Sequence, residues 1–377
     1  MSTLGLIFAN IHDGNVPELT VKRTVASIPF FGRYRLIDFA LSNMVNSEIV
    51  KVGLITKSNY QSLMDHVGSG KDWDLARRSG GIKILPPYIT AYANNINALY
   101  RTRLEALKSV NYSISRIKDE YVIMSDCDVI CNVDFNDILE NHIKTGADVT
   151  MAVKSVELTP ESARINVLFD SDENGRVRDI LSYPTQFTGR ADIGLNIVVM
   201  RTDYLKQIVL DAIAHNYTSL TSDILARNMQ NRDYRVYKYD GYFACISSFA
   251  DYYAHSMELL SDASARDALF NVKDRPIYTK VRNSVPAFYA ASSSVRNSMV
   301  ADGCEIEGSV ENSILFRGVK IGKNATVKNS IIMQDSIIGD GAFLNHVITD
   351  KNAVVRDNRM LAGADIQPFY IQKGQMI

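Results

Sequence analysis

Residues Val300 to Val355 read VADGCEIEGSVENSILFRGVKIGKNATVKNSIIMQDSIIGDGAFLNHVITDKNAVV, and their period decides the C-terminal fold. Aliphatic residues recur every six positions: Val300 and Ile306; Ile321 and Val327; Ile332, Ile338 and Leu344; Ile348 and Val354. Small or polar residues fill the gaps, and Gly303, Gly308, Gly318, Gly322, Gly339 and Gly341 stand where turns are needed. A six-residue repeat of this kind reads as the sides of a parallel β-helix. Each side turns one aliphatic residue inward, so successive coils stack into a prism. An ordinary β-sandwich with irregular strands is the alternative, and it gives no reason for separate groups to stay in phase. The β-helix is expected over residues 292–377.

Working back from it, residues 262–291 contain Pro276 and Pro286, show no period, and read as a connector. Residues 1–261 have a different texture, in which short apolar runs alternate with helical spacing. Leu4–Ala9, Val50–Ile55 and Tyr121–Met124 read as strands, the last ending in Ser125-Asp126. Val149–Val153, Ile193–Met200 and Tyr234–Tyr239 read as further strands. Ile37–Val45, Tyr60–His66 and Ile96–Val110 carry the helical spacing. Such alternation predicts a mainly parallel sheet covered by helices. Sites in these sheets lie at the carboxyl ends of the strands. The loop Phe8–Asn15 (FANIHDGN), Asp126 and the loop after Tyr242 are all expected there.

The 377 residues are 46% apolar, enough for two domains. Basic and acidic residues number 41 and 42, with a net charge of -1 and no run of one sign. That balance argues against a nucleic-acid partner. The N-terminus MSTLGLIFANI has no basic leader region, and no stretch approaches a membrane span. Cys127, Cys131, Cys245 and Cys304 form no regular framework, so a reduced cytoplasmic chain is expected. Cys127 and Cys131 have no second Cys or His pair near them to complete a zinc site. The 19 tyrosines are scattered and read as core and interface residues.

Three segments carry a family resemblance: Pro29–Ser47 (PFFGRYRLIDFALSNMVNS), His66–Trp73 (HVGSGKDW) and Gly80–Pro87 (GGIKILPP). Together with the hexapeptide repeats, they make nearly the whole chain resemble ADP-glucose pyrophosphorylase, or glucose-1-phosphate adenylyltransferase. The resemblance implies a Rossmann-like, GT-A-like nucleotidyltransferase domain over 1–261, a connector over 262–291 and a left-handed parallel β-helix over 292–377. It implies ADP-glucose formation from ATP and glucose 1-phosphate for glycogen or starch, on a tetramer, with Mg²⁺ at the phosphates. The chain looks most like the GlgD-type second subunit, which pairs with the catalytic one in several Gram-positive bacteria.

The residues that carry the chemistry point the same way. Nucleotidyl transfer brings two anions together, so it depends on backbone donors, cations and metal around the phosphates. A loop resembling GGGxGxRL is expected after the first strand, because glycines let backbone N–H groups approach a triphosphate. Here the run Ala9 to Leu19 keeps Gly14 alone and adds Asp13 and Glu18. Val25 stands at the lysine position of the KPA-like motif, with Arg23 before it. A GTAD-like turn becomes Asn94-Asn95-Ile96-Asn97-Ala98. Ser182 and Tyr183 replace the glutamate-lysine pair that grips glucose 1-phosphate. Of the two metal-holding aspartates, Asp126 is retained and Cys245 takes the place of the other, with Ala244 where an arginine is expected. A neutral thiol is a poor ligand for a hard cation.

The remaining polar residues have competing readings. Asp126 reads as a weak metal ligand at most, or as a local strand-end cap. His12 reads as a phosphate contact or, more simply, a solvated loop residue. Arg33, in the PFGGKYR-like stretch, and Arg35 read as contacts for an anionic effector at the domain junction, or as partners of carboxylates such as Asp38. The expectation is therefore a chain with no functional catalytic residues and no cofactor of its own. It would assemble with and activate a catalytic ADP-glucose pyrophosphorylase subunit as a hetero-oligomer, with a homo-oligomer possible alone. Two alternatives stay open: an active sugar-1-phosphate nucleotidyltransferase with a rearranged site, and a stand-alone sugar-phosphate or nucleotide sensor.

Overall fold

The computed structural model describes residues 2–87 and 100–377. The first domain is built on a nine-stranded sheet. Its strands are β1 (Thr3–Phe8), β2 (Lys51–Ile55), β3 (Gly81–Leu85), β4 (Tyr121–Asp126), β5 (Val149–Leu158), β6 (Val167–Ser171), β7 (Val177–Ser182), β8 (Gly189–Arg201) and β9 (Tyr234–Lys238). The order is β7-β6-β8-β4-β1-β2-β3, with β5 pairing both β8 and β9. Strands β4, β1, β2 and β3 are parallel, and their near-continuous apolar runs are what a sheet covered on both faces requires. The register sets Phe8 opposite Asp126, so the loop after β1 leaves the sheet beside that carboxylate.

The sheet is mixed, not mainly parallel as the alternation predicts. Strand β8 is 13 residues long and runs antiparallel to β4, β5 and β6. Only its Ile193–Met200 portion stands out as an apolar run. Along β8 buried and half-buried positions alternate, the pattern of an antiparallel strand with one wetter face. Strands β6 and β7 close as a hairpin, with Gly175 at φ 75° in the turn.

The main helices are α1 (Leu36–Asn46), α2 (Gln61–Val67), α3 (Arg103–Ser109), α4 (Phe135–Thr145), α5 (Thr202–Ala214), α6 (Phe249–Ser261) and α7 (Ala263–Phe270). Helix α3 is shorter than the expected Ile96–Val110. Thr102 caps it by accepting from the Glu105 N–H, and the Glu105 carboxylate accepts from the Thr102 N–H, so the start is set there. The expected beginning of that helix, and the Asn94–Ala98 turn, lie outside the described residues.

Residues 262–291, read as a connector, hold α7 at one end and the first β-helix strand, Phe288–Tyr289, at the other. The second domain is a left-handed parallel β-helix of three five-stranded sheets. Two inward columns follow the six-residue period: Ile306, Ile321, Ile338 and Val355, then Val310, Val327, Leu344 and Leu361. The expectation errs by one position at the far end, where Val355 rather than Val354 is fully buried. The third column explains the doubled aliphatics in the sequence. Leu315 and Ile332 face the prism interior, while Ile314, Ile331 and Ile348 pack outward against the first domain. Ile348 therefore fills the interface, not the prism.

The segment Pro29–Ser47 is the other half of that interface. Phe30, Phe31, Leu36 and Phe39 join Tyr252 and Leu259 of α6 and the outward β-helix residues in one apolar cluster. Phe31 stacks on Phe270 of α7 at a centroid distance of 5.4 Å. Gly32 has φ 80°, and a Cβ there would press on Met299 of the β-helix. His66–Trp73 braces α1 from the other side: His66 Nε2 donates to Asp38 Oδ1 at 2.6 Å, and Trp73 packs edge-on against the His66 ring.

Two buried histidines make this domain acid-sensitive. Burial, with Arg201 adding to it, pushes His142 down to about 4 from its ordinary 6.5. Burial also lowers His66, against the pull of Asp38. The folded state binds these protons more weakly than the unfolded chain does. Their contribution is therefore complete above about pH 6.5 and is lost as pH falls toward 4. Urea midpoints should fall across that window, and His142→Gln should flatten the fall. An unchanged slope in the variant would assign the sensitivity elsewhere.

Candidate functional site

The loop after β1 decides what the carboxyl end of the sheet presents. It does not stand open over the strands. Asp13–Asn15 and Pro17–Thr20 form two short turns, with Val16 and Leu19 fully buried. Thr20 Oγ1 donates to the Asp13 carbonyl at 2.7 Å and to the Val16 carbonyl at 2.9 Å. Asp13 accepts the Val25 N–H at 2.7 Å, and burial pushes its carboxyl up to about 7. Asp13 is thus an internal anchor, rather than simply a negative charge added to the loop. Val25 lies in the interface core at 1% exposure, where a lysine would have no water. Arg23 is turned away from the pocket, to Asp350 of the β-helix.

A cavity of about 340 Å³ opens beside this loop. His12, Arg103, Asp128, Tyr183 and Cys245 line it. A larger hollow of about 610 Å³ lies among Thr3, Lys51 and Asp119 at the amino ends of the strands. Ligands in open α/β sheets bind at the carboxyl ends, so the smaller cavity is the candidate site. Tyr183 holds φ 56° and is 55% exposed at its rim. Ser182 is exposed and is not among the lining residues.

The floor is a cluster of charges. Asp126 and Asp128 are both buried, at 1% and 2% exposure. His12 is not a solvated loop residue: its Nε2 donates to Asp126 Oδ2 at 3.0 Å and lies 3.8 Å from Asp128 Oδ2. Arg103 Nε donates to both oxygens of Asp126 at 3.0 Å. Asp126 is therefore neither a local cap nor a free ligand. Burial works against its charge, but Arg103 and His12 outweigh it and hold the carboxyl well below its ordinary value. Burial also disfavours a charged His12, but Asp128 and Asp126 outweigh it and raise the ring's pKa. Asp128 is raised, first by burial and further by Asp126.

Cys245 sits in register with Val129 on the two-stranded ribbon of Val129–Cys131 and Phe243–Cys245. That register brings its Sγ to 3.8 Å from Asp128 Oδ2. Burial and the Asp128 charge push the thiol well above its ordinary range, so it stays protonated and is no ligand for Mg²⁺. Cys127 and Cys131 are buried in the sheet core, with Cys131 held by Asn43.

Sequence reasoning missed Asp128 and Arg103. Asp128 had a usable signal, because residues two apart at a strand end share a face. Arg103 had none: it is one of several arginines near a helix start, and only the fold brings it to Asp126.

The resemblance implies Mg²⁺, and the residues present do not fit it. Ligand-type atoms of His12, Asp126 and Asp128 do lie within 4.8 Å of one another. However, both Asp126 oxygens are already bonded to a guanidinium, and the second carboxylate's expected position holds a neutral thiol.

At the domain junction, Arg33 is exposed and stacks over the Tyr34 ring, while Arg35 is buried and donates to Ser62. Neither takes Asp38 as a side-chain partner. That carboxylate accepts from His66 and from the Arg35 backbone N–H. Burial, with Arg23 and Arg282 nearby, pushes Arg35 down to about 10. Burial and the charges of Arg35 and Arg23 push Lys351 of the β-helix down to about 6. Arg35, Arg23 and Arg282 thus lie close enough at the junction to disfavour one another's charge.

Residues 16–260 match the nucleotidyl transferase family, and residues 285–368 match the GlmU-like C-terminal hexapeptide family. The chain is 37% identical over 371 residues to the glycogen biosynthesis protein GlgD of Geobacillus stearothermophilus, covering 98% of this chain and 96% of that one. It is 33% identical over 325 residues to GlgD of Bacillus subtilis (strain 168), covering 86% and 82%. It is also 33% identical over 336 residues to the glucose-1-phosphate adenylyltransferase of Thermosipho africanus, covering 87% and 78%. No helix among the described residues is long and apolar enough to cross a membrane. With the fold, the altered pocket and these relatives taken together, the chain belongs to the nucleotidyltransferase family that includes the GlgD proteins and the glucose-1-phosphate adenylyltransferases.

Proposed function

We propose that this chain serves glycogen synthesis as a subunit with little or no catalysis of its own, assembling in the cytoplasm with a catalytic glucose-1-phosphate adenylyltransferase and raising its activity. The observation that carries the reading is the loop after β1. In a working site it must meet a triphosphate, and here it is pinned by Val16, Leu19 and the Asp13–Val25 hydrogen bond. Each lost phosphate donor typically lowers rate by about 10²–10³. The fold around it is intact, including the interface built by Pro29–Ser47, which suits a role in assembly. The four free thiols suit a reducing compartment.

Two surfaces extend the reading. On one β-helix sheet, Phe288 and Ile337 stand outward at 59% and 42% exposure, flanking the Glu305–Lys320 ion pair. That column is offered as a subunit contact. Arg33 and Arg35 are offered as the contact for an anionic effector.

The test is ADP-glucose formation by the chain alone and mixed with a catalytic homologue from the same organism. No turnover alone and stimulation on mixing are expected, and Arg33→Ala should blunt the response to sugar phosphates. Robust turnover alone would overturn the reading in favour of an active enzyme. Ligand binding alone without any effect on mixing would favour a sensor.

A further inference from the structure

Arg103 begins α3 directly after its Thr102 cap, and its side chain turns into the pocket floor. Nε donates to Asp126 Oδ1 and Oδ2 at 3.0 Å each, and Nη2 also donates to Oδ2. Nη2 lies 3.5 Å from His12 Nε2. The side chains that present ligand-type atoms to one another therefore already surround a positive charge, and that charge belongs to the chain itself. A guanidinium is permanently charged, flat and matched to a carboxylate through paired hydrogen bonds. Mg²⁺ requires near-octahedral oxygen ligands at short range and keeps several waters, and Mn²⁺ suits the same oxygen-rich sites. A guanidinium on both oxygens of the anchoring carboxylate competes with either ion for lone pairs and sets a like charge beside it.

We propose that Arg103 is the resident cation of this pocket: its guanidinium occupies the face of Asp126 that a divalent metal ion would need, so the chain takes up no divalent metal there until Arg103 is removed. A second observation points to what removal would leave. Asp128 Oδ1 is buried and has no hydrogen-bond partner among the described residues. Without Arg103, Asp126 and Asp128 would face one another with only the His12 ring to offset two carboxylates. That is an oxygen-rich set suited to a hard divalent ion. In the native chain the arginine meets this need at all times, so the pocket keeps its shape without metal or nucleotide. The assignment concerns metal uptake, and it holds whether or not the chain pairs with a catalytic subunit.

The experiment is calorimetric titration of the full chain with Mn²⁺, alongside thermal unfolding with and without the ion. Wild type should show no saturable uptake and no Mn²⁺-dependent shift in melting temperature. Arg103→Gln should melt lower than wild type, take up Mn²⁺ saturably where wild type does not, and regain part of the lost melting temperature when the ion is added. Adding Asp126→Asn to that variant should abolish the gain. Saturable Mn²⁺ uptake by wild type that disappears in Asp126→Asn would overturn the proposal. A folded Arg103→Gln that takes up no Mn²⁺ would overturn it too. Should Arg103→Gln fail to fold, Arg103→Met is titrated in its place with the same readouts: Mn²⁺ uptake that Asp126→Asn abolishes supports the assignment, and a folded Arg103→Met without uptake overturns it.

Discussion

Arg23→Met is expected to lower unfolding stability by about 3–5 kcal/mol, the usual consequence of leaving one member of a buried ion pair alone. Arg23 is 2% exposed, and its Nη2 donates to both oxygens of Asp350, at 2.7 and 2.8 Å. The two residues lie 327 positions apart, one before the first α-helix of the interface and one in the β-helix. Asp350 is itself 3% exposed and, among the described residues, keeps uncharged hydrogen-bond donors in the Tyr370 hydroxyl at 3.2 Å and the Lys351 backbone N–H at 2.7 Å. Methionine fills much of arginine's volume, so the loss reads the charge more than a cavity. Removing both partners is the informative control. Arg23→Met with Asp350→Asn should recover much of the stability, because no buried charge is then left uncompensated. Urea unfolding followed by tryptophan fluorescence and by circular dichroism checks this. Trp73 reports the first domain alone, so separation of the two transitions would show the domains uncoupling. A loss under about 1 kcal/mol would mean that water reaches Asp350 and that the pair behaves as a surface one.

How much of this was legible in the sequence depends on how local the cause is. The β-helix was legible because a coil meets only its neighbours, so one inward residue per side repeats along the chain. The doubled aliphatics at Ile314-Leu315, Ile331-Ile332 and Val347-Ile348 were visible too, but which of each pair faces outward depends on the docked domain. The parallel part of the sheet was legible from its apolar runs. The antiparallel part was not, because strand direction is set by pairing rather than by any one strand's residues. The candidate site divides the same way. Altered positions such as Val25 and Cys245 could be named against a family pattern, and the structure adds their surroundings: an apolar interface for one, a carboxylate neighbour for the other. His12 and Asp38 were misread, since each depends on a partner far along the chain. Arg103 was unreadable for that reason: 91 residues separate it from His12 and 23 from Asp126.

The same nearest-neighbour logic makes Leu344→Ala the second large effect, at about 2–5 kcal/mol. Leu344 is fully buried and stacks in register between Val327 and Leu361. Truncation opens a cavity between two coils at once. Those coils cannot close it cheaply, because parallel strand pairing on every side holds their spacing. In a solenoid, stability is close to a sum of coil and interface contributions, so position matters as much as residue type. Leu361 belongs to the last strand of the same column and is only half-buried. Leu361→Ala should therefore cost clearly less than Leu344→Ala, although both remove the same atoms. Ile337→Ala, on the outer face at 42% exposure, should fall within about 0.5 kcal/mol of wild type for the isolated chain. Denaturant midpoints of the three variants give the ranking directly. Equal losses at Leu344 and Leu361 would mean that the β-helix unfolds as one block with no weak end. A large loss at Ile337 in the isolated chain would mean that the outer sheet face is already covered, and the column offered above as a subunit contact would then be joining two copies of this chain.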